Sequence, residues 1–332
     1  RPSEARVEEA RGGTGKAPLE HVVRGEHLVY GAGGTLVEAL RSAHVTIDAD
    51  PAADVPGRPA PPGPIRIDAQ RLVLHLDPAA ARQARADDLR RVEGSGGVTV
   101  STTGYEVTGQ TVEYDHVRRT AIARGAPARS RQVRADGLGG FVNSEEIRVE
   151  FEPAEAGGRR MRARRVTCQG GLAQYHIDAD EPGAGPTRVT IQASGPIEIL
   201  QASGSAQGDV DINTFEILPN GSPRRTAQVL ADRVDLTFDP AGEGTMQDRL
   251  RRATAVGTRT KPVRMHATTH DATADRAELV GSWIELTAPW GTPVHVVQKE
   301  PSIMQFVCDK GRFNPRTAEF QATRQRVATG ER

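Results

Sequence analysis

The sequence predicts an all-β protein built from repeated antiparallel hairpins. Along many short segments, apolar residues alternate with polar ones, which is the period of a half-buried strand. The 332 residues include 35 Gly and 22 Pro, a composition that favours frequent turns over long helices. The hairpins also repeat one pattern across the chain, and internal repetition of this kind determines the architecture. We therefore expect two tandem β modules of similar size.

The repeated unit is an alternating strand, a turn opened by an acidic residue and often a proline, and a basic strand that ends at glycine. One copy occupies residues 69–94, and its counterpart in the second half of the chain occupies 231–257. A third copy lies at 145–170, and the hairpin at 110–125 has the same pattern. Since the first pair is offset by about half the chain, the repeat predicts a duplication.

The predicted organisation has three parts. Residues 1–20 are polar, charged and glycine-containing, so we expect a poorly ordered N-terminal segment. Residues 21–175 form the first module and residues 176–332 the second, with the boundary in the Gly- and Pro-rich passage at 170–186.

Within the modules, glycine, proline and asparagine residues indicate where the turns and inserts lie. Gly31–Gly34 predicts a hairpin turn, and Asn220–Gly221 is a strong hairpin signal because both residues tolerate positive φ. Six prolines between residues 51 and 64 predict a surface loop. The Ala- and Arg-rich stretch at 79–91, preceded by a proline, predicts one short helical insert between strands.

Composition limits the partners and the core. Hydrophobic residues make up 37% of the chain and aromatic residues only 4%, so Val, Ile, Leu and Ala must form the core. The 43 basic and 43 acidic residues cancel, so no overall field attracts nucleic acid. For Cys168 and Cys308 we expect two reduced, buried thiols, with an oxidised pair linking the modules as the open alternative. No stretch is apolar enough to span a membrane, and an anchor upstream of Arg1 stays open.

No catalytic constellation emerges, so we expect a non-enzymatic protein without cofactor or metal. Gly12–Lys16 fails the phosphate-loop template, because Ala10 and Ala17 occupy required positions. His266 and His270 are four residues apart, which on one strand places both imidazoles on the same face, but a metal site needs three or four ligands.

Two hairpins resemble the OstA-like (LptA/LptC) family of lipopolysaccharide-transport domains. The resemblance rests on Gly109–Asp115 leading to Ala123–Pro127, and on Ala231–Pro240 with Ala255–Gly257. It implies an antiparallel β-jellyroll, a folded-over sheet, in the periplasm. It also implies modules that join end to end and carry lipopolysaccharide during outer-membrane biogenesis.

The resulting hypothesis is a periplasmic bridge that binds lipopolysaccharide or a related lipid. Other β-jellyroll transport components would pair with its sheet edges by strand addition. The inward residues predicted to line a lipid groove are Val98, Val100, Val112, Tyr114, Ile122, Val149, Phe151, Val234, Leu236, Phe238, Ile284 and Leu286.

Two alternatives stay open. A structural or adaptor protein of the same fold would have a fully packed interior and would assemble through its edges without lipid. A polysaccharide-binding or polysaccharide-processing module would use Trp283 and Trp290 as sugar platforms, with a pair of carboxylates near them.

Overall fold

The computed structural model shows an antiparallel all-β protein, as the sequence predicts. The residues that it describes are 3–8, 20–31, 36–47, 65–76, 89–102, 105–115, 117–118, 120–132, 141–151, 163–170, 173–181, 185–200, 202–239, 250–280, 283–299, 303–314 and 319–326. All regular structure in these ranges is strand, and none of it is helix.

The chain divides into two compact units. Unit 1 comprises residues 1–137 with 143–167, and unit 2 comprises 138–142 with 168–332. The strands up to the boundary are β1 (Ser3–Glu8), β2 (Glu20–Gly25), β3 (His27–Tyr30), β4 (Leu36–Ile47), β5 (Ile65–Leu76), β6 (Leu89–Thr102), β7 (Tyr105–Asp115), β8 (Thr120–Gln132), β9 (Phe141–Phe151) and β10 (Ala163–Gln169).

Unit 2 continues with thirteen further strands. They are β11 (Ala173–Glu181), β12 (Gly185–Ala193), β13 (Ile197–Leu200), β14 (Ser203–Ile217), β15 (Pro223–Phe238), β16 (Leu250–Val256), β17 (Val263–Ala267), β18 (His270–Ala274), β19 (Arg276–Val280), β20 (Trp283–Thr287), β21 (Val294–Gln298), β22 (Met304–Asn314) and β23 (Glu319–Arg326).

Two predictions about the N-terminal half differ from the structure. Residues 3–8 were expected to be poorly ordered, but they form β1, whose pairing with β2 satisfies the backbone groups of both strands. The predicted helix at 79–91 is wrong at its C-terminal end, because β6 begins at Leu89 and pairs with β5. Residues 77–88 and the predicted loop at 51–64 lie outside the described residues.

The hairpin turn predicted at Asn220–Gly221 is confirmed, whereas residues 32–35 of the other predicted turn lie outside the described residues. β3 and β4 pair antiparallel on either side of the glycine-rich segment. Between β14 and β15, Gly221 has a φ of 80°, and the Ser222 N–H donates to Asn220 Oδ1 over 2.9 Å. Asn and Gly are the residues that tolerate this conformation.

Several strands of unit 2 are interrupted by bends, and backbone hydrogen bonds join some of these bends across the sheet. The β14 pairing breaks at Gly208 and Asp209, which have φ angles of 75° and 43°. The Ser194 N–H, in the bend between β12 and β13, donates to Gly208 O over 2.8 Å. Further along, the Gly257 N–H donates to Asp275 O over 2.9 Å, joining the bend before β17 to the bend before β19. We call this row of bends the fold line.

The fold line divides the sheet of unit 2 into two faces. Three long strands cross the line. β14 pairs with β13 on one side and with β12 on the other, β15 pairs likewise with β16 and β17, and β22 pairs with β20 and β21. Face A contains β13, β16, β19 and β20, and face B contains β12, β17, β18 and β21. The pairings close a circuit of eight strands, namely β15, β16, β19, β20, β22, β21, β18 and β17.

Unit 1 has a fold line of its own. Its β4 bends at Arg41 and Ser42, which adopt φ angles of 56° and 51°, and its β6 bends at Gly96 and Gly97. The pairings of these strands shift register at the same places. Left-handed backbone at two non-glycine residues is locally costly, so the surrounding ladder must hold this bend in place.

Side-chain size increases with distance from the fold line. In unit 2 the buried residues next to it are small, and they include Ala193, Ala206, Ala231, Ala255, Ala274 and Ala277. Away from the line, β15 carries Val234, then Leu236, then Phe238. Val210, Val263 and Val294 are also buried beside these bends, so alanine and valine together fill many of the close-packed positions there. This explains how a chain with few aromatic residues fills its core.

Glycine is required where bends bring two backbones together. A Cβ on Gly257 would lie 2.6 Å from Lys261 O, and one on Gly195 would lie 2.5 Å from Gln207 O. Neither carbonyl can move without breaking the bend. We therefore expect Gly257→Ala and Gly195→Ala each to lower the free energy of unfolding by about 2 kcal/mol or more, measured by urea denaturation.

Gly221→Ala is the matched control, because its Cβ would meet no atom within 4 Å. Only its positive φ opposes the substitution, at a cost of about 1 kcal/mol. Equal destabilisation by Gly221→Ala and Gly257→Ala would contradict the close approach at the fold line.

Candidate functional site

A small apolar space, here called the slot, lies between the two faces of unit 2. Its volume is about 10 Å³, which is room for about one water molecule. The atoms that face it are apolar. The residues that line it are Ile191 of β12, Ile197, Glu198 and Ile199 of β13, Ser205 and Ala206 of β14, and Val234, Leu236 and Phe238 of β15.

The register of three strands builds the slot. Ile199 pairs with Gly204, and Gly204 pairs with Leu236, so these positions share one side of the sheet. A Cβ on Gly204 would lie 3.5 Å from the Phe238 ring and 3.7 Å from Leu236 Cδ1. Its closest approach would be to the Glu198 carbonyl oxygen, 3.2 Å away, whereas the two side chains lie at ordinary contact distance.

A second interior contact joins the faces across the sheet. His270 of β18 stacks on Phe313 of β22, with ring centroids 5.7 Å apart and planes inclined by 23°. His270 is 1% exposed; its Nδ1 lies 2.9 Å from Thr269 Oγ1, and its Nε2 has no hydrogen-bond partner among the described residues. Burial lowers the pKa of His270, and the nearby Lys299 ammonium lowers it further. The ring is therefore held neutral.

A polar cluster covers the outer side of the same strands. Asp271 Oδ1 lies 3.1 Å from His266 Nδ1 and 2.7 Å from Lys299 Nζ. Burial acts to raise the pKa of Asp271, but the hydrogen bonds from Lys299 and His266 hold it below its usual value. The cluster ties the ends of β17, β18 and β21 together.

The predicted common face for His266 and His270 is wrong. Thr268 and Thr269 form the turn between β17 and β18, so the two histidines lie on different strands. His266 pairs with Asp271, and His270, one residue earlier, therefore points to the opposite side. The described part of the chain contains no group of three residues able to ligate a metal.

The structure distributes the predicted groove residues between two environments. The buried ones are Val98, Val112, Tyr114, Val234, Phe238 and Leu286. The half-buried ones are Val100, Ile122, Val149, Leu236 and Ile284. Phe151 ends β9, and its side chain lies outside the described residues. Three of the twelve, Val234, Leu236 and Phe238, line the slot.

Ile122 is separated from its predicted neighbours by register. Val112 pairs with Ala123, whereas Ile122 pairs with Glu113. Directly opposed residues share a face, so Ile122 lies on the side of the charged residues and Ala123 takes the inward position. The alternation of one strand cannot reveal this, because a shift of one residue inverts the assignment.

Outward-facing arginines are paired with carboxylates. Arg124 Nε lies 2.8 Å from Glu146, and Glu278 accepts from both Arg252 and Arg276. These arginines are each more than two-fifths exposed, so each pair contributes little to stability. The balanced composition of the chain reflects this ionic outer surface.

The two tryptophans occupy different environments. The Trp283 ring lies 4.8 Å from the Arg312 guanidinium carbon. Trp290 lies in a bend of the fold line, where its backbone N–H donates to Asp275 Oδ2 over 2.9 Å. Asp275 is fully buried, and its bond to the backbone fastens two neighbouring bends. Its carboxylate therefore has a structural role beside Trp290.

Both cysteines are buried and unpaired. Burial raises the pKa of Cys168 to about 12 and also raises that of Cys308. Since the thiolate is the reactive form, both thiols are held protonated and inert in the folded state.

We expect a maleimide to leave both thiols unmodified in the native protein and to label both after unfolding in urea, as measured by intact mass. Cys168→Ser and Cys308→Ser should each remove one label from the unfolded sample. Rapid labelling of the folded protein, or the mass of a linked pair before reduction, would contradict the buried thiols.

Comparisons with family models, with curated proteins and with solved structures find no match for this chain. Among the described residues, no helix is long and apolar enough to cross a membrane.

Proposed function

We propose that this protein is a periplasmic lipid carrier that holds lipopolysaccharide or a related amphiphile between the two faces of its folded sheet. The observation that carries the proposal is a pair of facing apolar rows in unit 2. The row on face B consists of cross-strand partners, namely Ile191, Ile212, Val229, Met265, Ala272, Val296 and Phe306.

The row on face A runs parallel to it. Its cross-strand partners are Ile199, Gly204, Leu236, Ala253, Leu279, Ile284, Phe313 and Phe320. With strands spaced about 4.8 Å apart, a row of seven strands extends for roughly 30 Å. An acyl chain lying across the strands would meet hydrocarbon along its whole length.

Entry of a chain requires the faces to separate, because the slot holds only about 10 Å³. Separation is easiest away from the fold line, where Ile199, Leu236, Leu279 and Ile284 are half-buried. Each acyl methylene that is buried contributes about 0.8 kcal/mol, so a long chain can offset the lost contacts between faces. Arg251 pairs with Asp239 at the far end of β15 and would there meet a lipid phosphate.

Sheet edges supply the route to partners. β23 pairs with β22 along one edge, and no pairing is seen on its other edge within the described residues. Such an edge can add a strand from another β-jellyroll component through backbone hydrogen bonds. This agrees with the end-to-end assembly that the resemblance implies.

A scaffold without lipid is the second candidate, and the small volume of the slot favours it. In that case the facing rows form an ordinary core, and the protein acts only through its edges. The two functions differ in whether the interior takes up an amphiphile.

Mass spectrometry of lipids extracted from the purified protein separates the two candidates. The protein is isolated from a membrane-bearing host, and we expect a near-stoichiometric amphiphile. Leu236→Asp should reduce its recovery at least tenfold (about 1.4 kcal/mol per tenfold), because the substitution places a carboxylate in the slot.

Two further variants make the result interpretable. Thr237→Asp, on the exposed side of β15, is the matched control and should retain the lipid. Leu236→Trp fills the slot without adding charge and should also lose the lipid while the circular dichroism of the sheet is preserved. Recovery of lipid-free wild-type protein that also fails to take up added lipopolysaccharide would establish the scaffold instead.

A further inference from the structure

We propose that the contact between His270 and Phe313 is a proton-sensitive latch that holds the two faces of unit 2 together and releases them when His270 is protonated. This proposal depends on the proposed function only for the identity of the ligand that would enter the opened slot. Its geometry is independent of any lipid.

The position of the contact makes it a latch. His270 lies at the far end of β18, five residues before the fold-line residue Asp275, and Phe313 lies on β22 beyond its own bend. The two rings come from opposite faces and are 1% and 2% exposed. When the sheet opens, the two faces separate most at positions far from the fold line. A contact at such a position therefore holds the faces closed.

The chemistry of the contact tolerates only a neutral imidazole. The hydrogen bond between Nδ1 and Thr269 Oγ1 satisfies one ring nitrogen. The buried Nε2 has no acceptor among the described residues. A second proton would place a charged N–H there without a partner, and burial of an unpaired charge is strongly unfavourable.

The neighbouring charges reinforce this preference. Lys299, at the end of β21, lies close enough to oppose a positive ring. Asp271 and His266 face the outer side, where Asp271 is already bonded to Lys299. On β22, Arg312 faces Trp283 and Gln321, and Lys310 pairs with Glu285. None of these described carboxylates hydrogen-bonds to the His270 ring.

The direction of the pH effect follows from linkage. The pKa of His270 is lowered in the closed state by burial and by Lys299, whereas a solvated histidine titrates near about 6.5. The open state therefore binds more protons than the closed state as the pH falls below about 6.5. Acid therefore favours opening, and neutral pH favours closure. The ratio of open to closed molecules can change by up to tenfold for each pH unit that separates the pKa of His270 in the two states (about 1.4 kcal/mol).

Amide hydrogen exchange of the full chain tests the latch. After correction for intrinsic rates, the amides of β18 and of β22 near Phe313 should exchange several-fold faster at about pH 5.5 than at about pH 7.5, where histidine changes charge. The amides of β14 should not change. His270→Phe keeps an aromatic contact but cannot be protonated, so its exchange should be independent of pH.

His295→Phe is the matched control, because His295 lies exposed on β21. This variant should keep the wild-type pH response. The latch is overturned if the response persists in His270→Phe, or if the wild type shows none. If His270→Phe fails to fold, His270→Gln replaces it and should likewise lose the response.

Uptake of cis-parinaric acid, measured by fluorescence, separates the latch from the proposed function. We expect faster uptake at about pH 5.5 than at about pH 7.5 in the wild type, with the difference lost in His270→Phe. A pH-dependent exchange without any uptake would support the latch and reject lipid carriage. Uptake at the same rate at both pH values would support carriage and reject the latch.

Discussion

The convergence of two sheet faces at a line of bends is the constraint on which the rest of unit 2 depends. At the bends, a Cβ on Gly195 would overlap Gln207 O of the neighbouring strand, and one on Gly257 would overlap Lys261 O within the same turn. Alanines and valines fill many of the adjoining buried positions. A folded sheet of this kind satisfies its backbone hydrogen bonds within the ladder and covers its apolar side with itself, so no helix is needed to complete the core.

The same geometry determines what the interior can do. Near the fold line the side chains are buried and closely packed. Away from it, contacts such as that between His270 and Phe313 hold the faces together, and half-buried residues such as Leu236 border the slot. The proposed lipid carriage and the proposed proton-sensitive closure would both require the faces to separate at this margin. A scaffold without lipid would keep the same arrangement closed.

The sequence predicts the strands and the turns well, because their signals are local. The alternation along Val234, Leu236 and Phe238 and the Asn220–Gly221 turn depend only on neighbouring residues. The bends were not predicted: Gly125 and Gly257 were interpreted as strand ends, but they lie where two halves of a strand meet. The inward side of Ile122 depends on pairing register, and the contact of His270 with Phe313 joins residues from opposite faces. Neither can be derived from one strand considered alone.

The most direct test of the folded sheet is a nuclear Overhauser measurement between the rings of His270 and Phe313 in selectively labelled protein. With ring centroids 5.7 Å apart, we expect a cross-peak between their ring protons at neutral pH. In an open sheet the two rings would lie on opposite sides of the fold line and too far apart for a signal. Absence of the cross-peak, in a sample that shows the backbone pairings of β18 with β17 and β21, would contradict the fold line as the organising feature of the molecule.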